Sequence, residues 1–173
     1  MNDKPFDQPV GADLFLEIQR FLADEAALLD RWAYREWIAL LTDDITYRVT
    51  TRLVRHREDG VQDHEIIDED MNALRLRADQ LADPKLTRAE NPPSFYRRFI
   101  SNIRADQGEH PDSFLVGANV LVYRNRPSNN DIEIYAGERL DVLRRVDGRI
   151  RIAERLVRLD QSVLDGGTLN TLL

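Results

Sequence analysis

The sequence predicts an α+β fold, with three helices packed into one face of a strongly bent, mainly antiparallel sheet. Two observations carry this. From Phe21 to Leu41, apolar residues recur at three- and four-residue steps, and both tryptophans, Trp32 and Trp37, lie on that stretch. From Ser94 onward the period falls to two residues and stays there for four successive segments, which is the alternation of strands with one buried face. Helices first and strands afterwards make an α+β layer arrangement rather than a wound parallel sheet.

Met1 to Gly11 is polar and proline-containing and reads as a loose lead-in. Asp13 is a candidate cap for a helical region over 13–41, with Phe15 and Ile18 on its apolar side and a corner near Asp30. Phe21, Leu22, Glu25, Leu28, Leu29 and Trp32 share one face, and Tyr34, Trp37, Ile38 and Leu41 repeat the pattern. At Thr42, Asp43 and Asp44 the helical period stops at an acidic turn. Ile45, Tyr47 and Val49 then start a strand over 45–54, and the charged run from His56 to Glu65 reads as a loop turning at Gly60.

A third helix is predicted over 69–83, with Met71, Leu74, Leu81 and one of Leu76 or Ala78 inward. Pro84, Pro92 and Pro93 close the helical region, because proline lacks an amide hydrogen and disfavours helix before it. Strands follow over 95–106, 113–125, 131–146 and 149–160. Turns fall at 107–111, at 127–130 and at Asp147-Gly148, the last a strong hairpin signal. Ser113 to Tyr123 is apolar on both faces, so it is placed inside the sheet and not at its edge. The tail ends in Leu169, Leu172 and Leu173, an apolar terminus expected to be tucked against something.

Composition removes several functions. A chain of 173 residues fits one domain, read here as 1–173 with the lead-in 1–11 and the tail 162–173. A net charge of −7 argues against nucleic acid as a partner. No cysteine means no disulfide, no thiolate nucleophile and no iron–sulfur ligation. No unbroken apolar run reaches membrane-spanning length, and the first residues lack a secretion-signal pattern, so a cytoplasmic protein without a membrane partner is expected.

The chemistry-bearing residues are sparse. His56, His64 and His110 lie in charged, loop-like stretches without metal-site spacing, and they read as surface or turn residues. Asp43 and Asp44 read as turn carboxylates. Glu138 continues the set Ile132, Ile134, Ala136, Leu140, Val142 and is expected to point inward, as is Glu154 after Ile150 and Ile152. With Arg139, Arg144, Arg151, Arg155 and Arg158 nearby, ion pairing outweighs a role as general base. No catalytic, cofactor-binding or metal-ligating residue is assigned.

One set of ordered pieces resembles a known family. Ala89-Glu90-Asn91-Pro92-Pro93-Ser94, then Arg97, then Ile100-Ser101-Asn102-Ile103, is similar to the small β subunits of Rieske non-haem iron aromatic-ring-hydroxylating dioxygenases. Glu25-Ala26 with Leu28-Leu29-Asp30, Glu36-Trp37 with Leu40, Thr42 to Ile45 with Tyr47, and Leu159-Asp160-Gln161 with Val163-Leu164 agree with it. The resemblance runs from about Phe21 to the C-terminus. It departs from the family pattern at Thr50, where proline is usual, and at Glu154, where arginine is usual.

The resemblance implies a cone of the nuclear transport factor 2-like type and a structural, non-catalytic subunit. Three copies would form a threefold ring beneath three large α subunits, which hold the Rieske cluster and the mononuclear Fe(II). Electrons would come from a ferredoxin or reductase, and both atoms of dioxygen would enter an aromatic ring. Candidate subunit-contact residues are Pro92, Pro93, Ser94, Arg97, Arg98, Asn102, Leu164, Leu169, Leu172 and Leu173. The competing readings are a stand-alone cone isomerase or dehydratase using Tyr47, Tyr135 and Glu138, and a small-molecule binding module.

Overall fold

The structure is a computed structural model that describes residues 6–53, 62–83, 93–127, 131–161, 169 and 171–173. Helix α1 spans Ala12–Asp30 and α2 spans Tyr34–Ile38, followed by strand β1, Leu41–Leu53, and β2, Gln62–Glu69. Helix α3 is Met71–Ala82, and strands β3 to β6 are Phe95–Gln107, Ser113–Arg126, Asp131–Val146 and Arg149–Leu159. They form one six-stranded sheet in the order β2-β1-β6-β5-β4-β3. Strands β3 to β6 are the antiparallel meander that the sequence predicts, whereas β1 joins it by pairing parallel with β6. The sheet curls over the helices and the core lies between them.

The corner in the first helical region lies where it is expected, at 31–33, although neither glycine nor proline makes it. Trp32 does so with a left-handed backbone, φ 60°. That conformation is unusual for a bulky residue and persists only where the surroundings hold it. Here the indole Nε1 donates to the carbonyl of Ser94 at 3.0 Å, and the ring lies against Phe95, centroids 5.7 Å apart. Past the corner, Trp37 is fully buried edge-on against Tyr47.

Several boundaries differ from the sequence reading. Helix α1 begins after Gly11, so Asp13 lies in its first turn and is not its cap. Thr42, Asp43 and Asp44 belong to β1 and not to a turn. Helix α3 starts at Met71, capped by Asp70, whose side chain accepts from the Ala73 amide at 2.9 Å; Ala78, not Leu76, faces inward. The end of the charged run read as a loop is the edge strand β2, whose side chains are mostly exposed and show no alternation to betray it. Its start, including His56 and Gly60, lies outside the described residues. Residues 6–10 of the lead-in are not loose. Val10 donates to Ala105 O and Gln107 donates to Gln8 O, which ties this segment along the free edge of β3.

Two glycines are required by geometry. Asp147 and Gly148 both have positive φ, 50° and 75°, the backbone of a tight two-residue hairpin turn. At Gly137 an added Cβ would lie 2.1 Å from the carbonyl oxygen of Arg158, so β5 and β6 approach there only because the side chain is absent.

Candidate functional site

The inside of a cone is where chemistry would be housed, and among the described residues four charged side chains cluster in this one. Glu25 comes from α1, Arg139 and Asp141 from β5, and Arg155 from β6; all four are almost wholly buried. Arg155 donates to Asp141 through Nε and Nη2, both at 2.9 Å, and to Glu25 through Nη1 and Nη2. Arg139 Nε lies 3.1 Å from Asp141 and its Nη2 3.2 Å from Glu25. Trp37 Nε1 completes the shell by donating to Glu25 at 3.0 Å. Two carboxylates and two guanidiniums balance, which is the condition for burying charge at all.

Electrostatics decide what this cluster can do. Burial pushes the Glu25 carboxyl up, but Arg155 and Arg139, with hydrogen bonds from Arg155 and Trp37, overcome that and hold it down at about 2. A general base works best with a pKa near the working pH, so Glu25 is tuned away from proton abstraction. Arg155 is held well above its ordinary value: burial opposes its charge, and the two carboxylates outweigh burial. Beside it, burial raises the Tyr47 phenol. The arrangement is that of a structural keystone.

This carries a pH prediction. A carboxyl depressed from 4.5 to about 2 in the folded state stabilises the fold above its unfolded value and loses that contribution as pH falls through the interval. Urea unfolding should therefore show stability falling by about 3 kcal/mol between pH 4.5 and pH 2 on account of Glu25. Glu25→Gln should flatten that slope; an unchanged slope would count against the assignment.

The three residues of the catalytic-cone reading are not brought together. Tyr47 is inside, bonded to Leu173. Tyr135 donates to Glu133, which also pairs with Arg124 at 2.8 Å. Burial and Glu133 push the Tyr135 phenol up. Glu138 alternates with Tyr135 on β5, and so it lies on the outer face, paired with Arg52 and Arg158 and lining a groove with Phe6, Asn102, Arg104 and Asn119.

The inward orientation expected for Glu138 and Glu154 is thus corrected, for two reasons. The apolar set Ile132, Ile134, Ala136 that Glu138 continues lies on the outer surface, while Tyr135, Arg139, Asp141 and Leu143 form the inner row. On β6, Leu143 pairs with Ile152 but Val142 pairs with Glu154. Ala153 is the extra residue of a bulge, which reverses the alternation and sends Arg155, Val157 and Leu159 inward. Glu25 gave a sign in the sequence, a carboxylate on an apolar helical stripe; Asp141 gave none. Thr50, one of the two departures from the family pattern, sits at a mid-strand irregularity of β1, where register shifts.

The histidines stay apart. His64 is exposed on β2 and His110 on the turn before β4, and His56 lies outside the described residues. Among the described residues no three of His, Cys, Asp and Glu are grouped for a metal. Asp44 pairs with Arg144 at 2.9 Å and Asp43 with Arg75 at 3.5 Å, both at the surface.

The candidate contact residues divide. Pro93, Arg97 and Asn102 are exposed, Asn102 at φ 52° in a β3 bulge. Ser94, Arg98, Leu169, Leu172 and Leu173 are buried within the chain itself, so the apolar tail serves the chain's own core. Pro92 and Leu164 lie outside the described residues. Instead, β3, β4 and β5 present Phe95, Phe99, Leu121, Ile132 and Ile134 on the outer face, each at least 40% exposed. Leu121 lies between Phe99 and Ala136 in register, so the residues form a continuous surface.

Comparisons with known proteins fit this geometry. The model of the ring hydroxylating beta subunit family matches residues 24–166. Among solved structures, naphthalene 1,2-dioxygenase with indole bound in its active site superposes with a TM-score of 0.85 at 24% identity, covering 97% of this chain and 90% of that one. The β subunit of benzoate 1,2-dioxygenase from Burkholderia mallei gives 0.68 at 19%, covering 91% and 93%. A protein from Novosphingobium aromaticivorans named as a scytalone dehydratase gives 0.63 at 17%, covering 86% and 85%, so the cone is also the scaffold of a protein named for different chemistry. The fold is the α+β, nuclear transport factor 2-like cone, and the family match covers most of its length. The chain belongs to the ring-hydroxylating β subunits.

Proposed function

We propose that this chain is the non-catalytic, structural subunit of the terminal oxygenase of a cytoplasmic multicomponent dioxygenase. That enzyme adds both atoms of dioxygen to an aromatic hydrocarbon or aromatic acid during its degradation. Its partner is a large α subunit carrying the Rieske [2Fe–2S] cluster and mononuclear Fe(II), in an assembly of three α and three β chains, with electrons delivered by a ferredoxin or reductase. The β copies form a threefold ring. The observation that carries the reading is the outer apolar face of β3, β4 and β5. Five large apolar side chains on one rigid sheet, next to the Trp32–Phe95 pair, are costly in water and call for a covering subunit. Pro93, Arg97 and Asn102 border that face and are the proposed contact residues from the Asn91–Asn102 segment.

The iron groups do not fit this chain. A Rieske centre needs two cysteines, and the sequence has none; a mononuclear iron needs clustered histidines, and among the described residues His64 lies on β2 and His110 apart from it on the turn before β4. Among the described residues no helix is long and apolar enough to cross a membrane.

The test is co-purification from the native host. A large iron-containing chain should accompany this one, and Ile134→Asp with Leu121→Asp should release it while leaving the isolated chain folded, because both side chains face outward. Glu138→Gln in the assembled, iron-loaded oxygenase should leave turnover within about twofold, since that carboxylate pairs with arginines on the outer face. Loss of turnover by orders of magnitude in an intact complex would favour the catalytic cone instead.

A further inference from the structure

Inside the cone, three residues are held in the way a receptor holds a peptide. Thr171, Leu172 and Leu173 are buried, the two leucines within the main hydrophobic cluster. Their polar atoms are read by side chains of three different strands. From β3, Arg98 Nη2 donates to Thr171 Oγ1 at 2.8 Å and to the Leu172 carbonyl at 2.7 Å. From β1, the Tyr47 hydroxyl accepts from the Leu173 amide at 2.9 Å and donates to the Leu173 main-chain oxygen at 3.3 Å. From β6, Arg155 Nη1 donates to that same oxygen at 2.9 Å. The two guanidiniums do not depend on the tail for their position: Asp30 holds Arg98 at 2.8 Å, and Glu25 and Asp141 hold Arg155. Donors fixed beforehand, aimed at backbone atoms and lined by apolar walls, constitute a preorganised site.

We propose that the cone interior is a binding site for a short, branched-aliphatic peptide, which the chain fills with its own Thr171-Leu172-Leu173. With those residues removed, the site takes a peptide of the same chemistry from solution. Specificity comes from two leucine-sized pockets, and orientation from Arg98, Tyr47 and Arg155, which recognise any main chain presented in this pose.

The experiment uses a chain lacking residues 171–173 and the probe acetyl-Thr-Leu-Leu, with acetyl-Thr-Ala-Ala as control, read by calorimetry and thermal melting. One leucyl peptide should bind per chain and raise the melting temperature toward that of the full chain. The alanyl peptide should bind at least about tenfold more weakly, having far less apolar surface to bury. Adding Tyr47→Phe, which removes both hydrogen bonds of that hydroxyl to Leu173, should weaken the leucyl peptide by about 5- to 150-fold. The full chain, its site filled, should not bind the probe. Where the shortened chain is unfolded alone, the peptides are added during refolding, and recovery of native circular dichroism with the leucyl peptide only supports the proposal. Equal action of both peptides, no action by either, or equal binding to the full chain overturns it.

Discussion

Arg155→Met should remove about 3–5 kcal/mol of stability at neutral pH, a large share of the roughly 5–15 kcal/mol that keeps a domain folded. The methionine fills much of the volume, so packing is not what fails. What fails is charge compensation, because Glu25 and Asp141 lose the guanidinium that bonds to both of them, and Arg139 alone faces two buried carboxylates. The loss should have a pH signature. As acid protonates the stranded carboxyls, their burial becomes less costly, so the gap between variant and parent should narrow below about pH 4. Urea titrations at pH 7 and at about pH 3 read this directly. A deficit equal at both values would mean that packing, and not charge, is the cause.

Trp37→Ala is the second large effect, expected at about 3–5 kcal/mol for a fully buried aromatic. Two losses combine there. A cavity opens against Tyr47, and Glu25 loses the indole N–H that donates to it. Trp37→Phe keeps most of the volume and forfeits the hydrogen bond, so it should cost clearly less. Equal losses in the two variants would assign the whole effect to the hydrogen bond and remove the cavity from the account.

Where periodicity speaks for one element at a time, the sequence was a good guide. The strands after Phe95, the Asp147-Gly148 hairpin and the corner near Asp30 all lie within a residue or two of where the pattern puts them. The failures arise where position depends on a neighbour. Glu138 follows isoleucines that look like core, yet they cover the outer face, and only a view of the paired strands shows this. Glu154 sits one residue beyond a bulge, and a bulge is a fact about two strands that one strand's spacing does not disclose. The charge cluster was half visible: Glu25 was conspicuous on an apolar stripe, whereas Asp141 had no such contrast among the charges of β5. The tail was expected at a subunit contact, whereas its described leucines, Leu169, Leu172 and Leu173, are buried against their own chain.

The parallel pairing of β1 with β6 has a consequence in time. Thr46 lies beside Glu154, roughly a hundred residues later in the chain. A ribosome adding about 5–20 residues per second leaves β1 without that neighbour for roughly 5–20 s. The meander of β3 to β6 closes through local hairpins, but the seam that joins it to the first strand is a long-range closure of the kind that slows folding. Until it forms, the nascent chain offers Tyr47 and Val49 on an unpaired strand edge. During that interval this protein is most exposed to mispairing, and a chaperone would gain most by shielding β1.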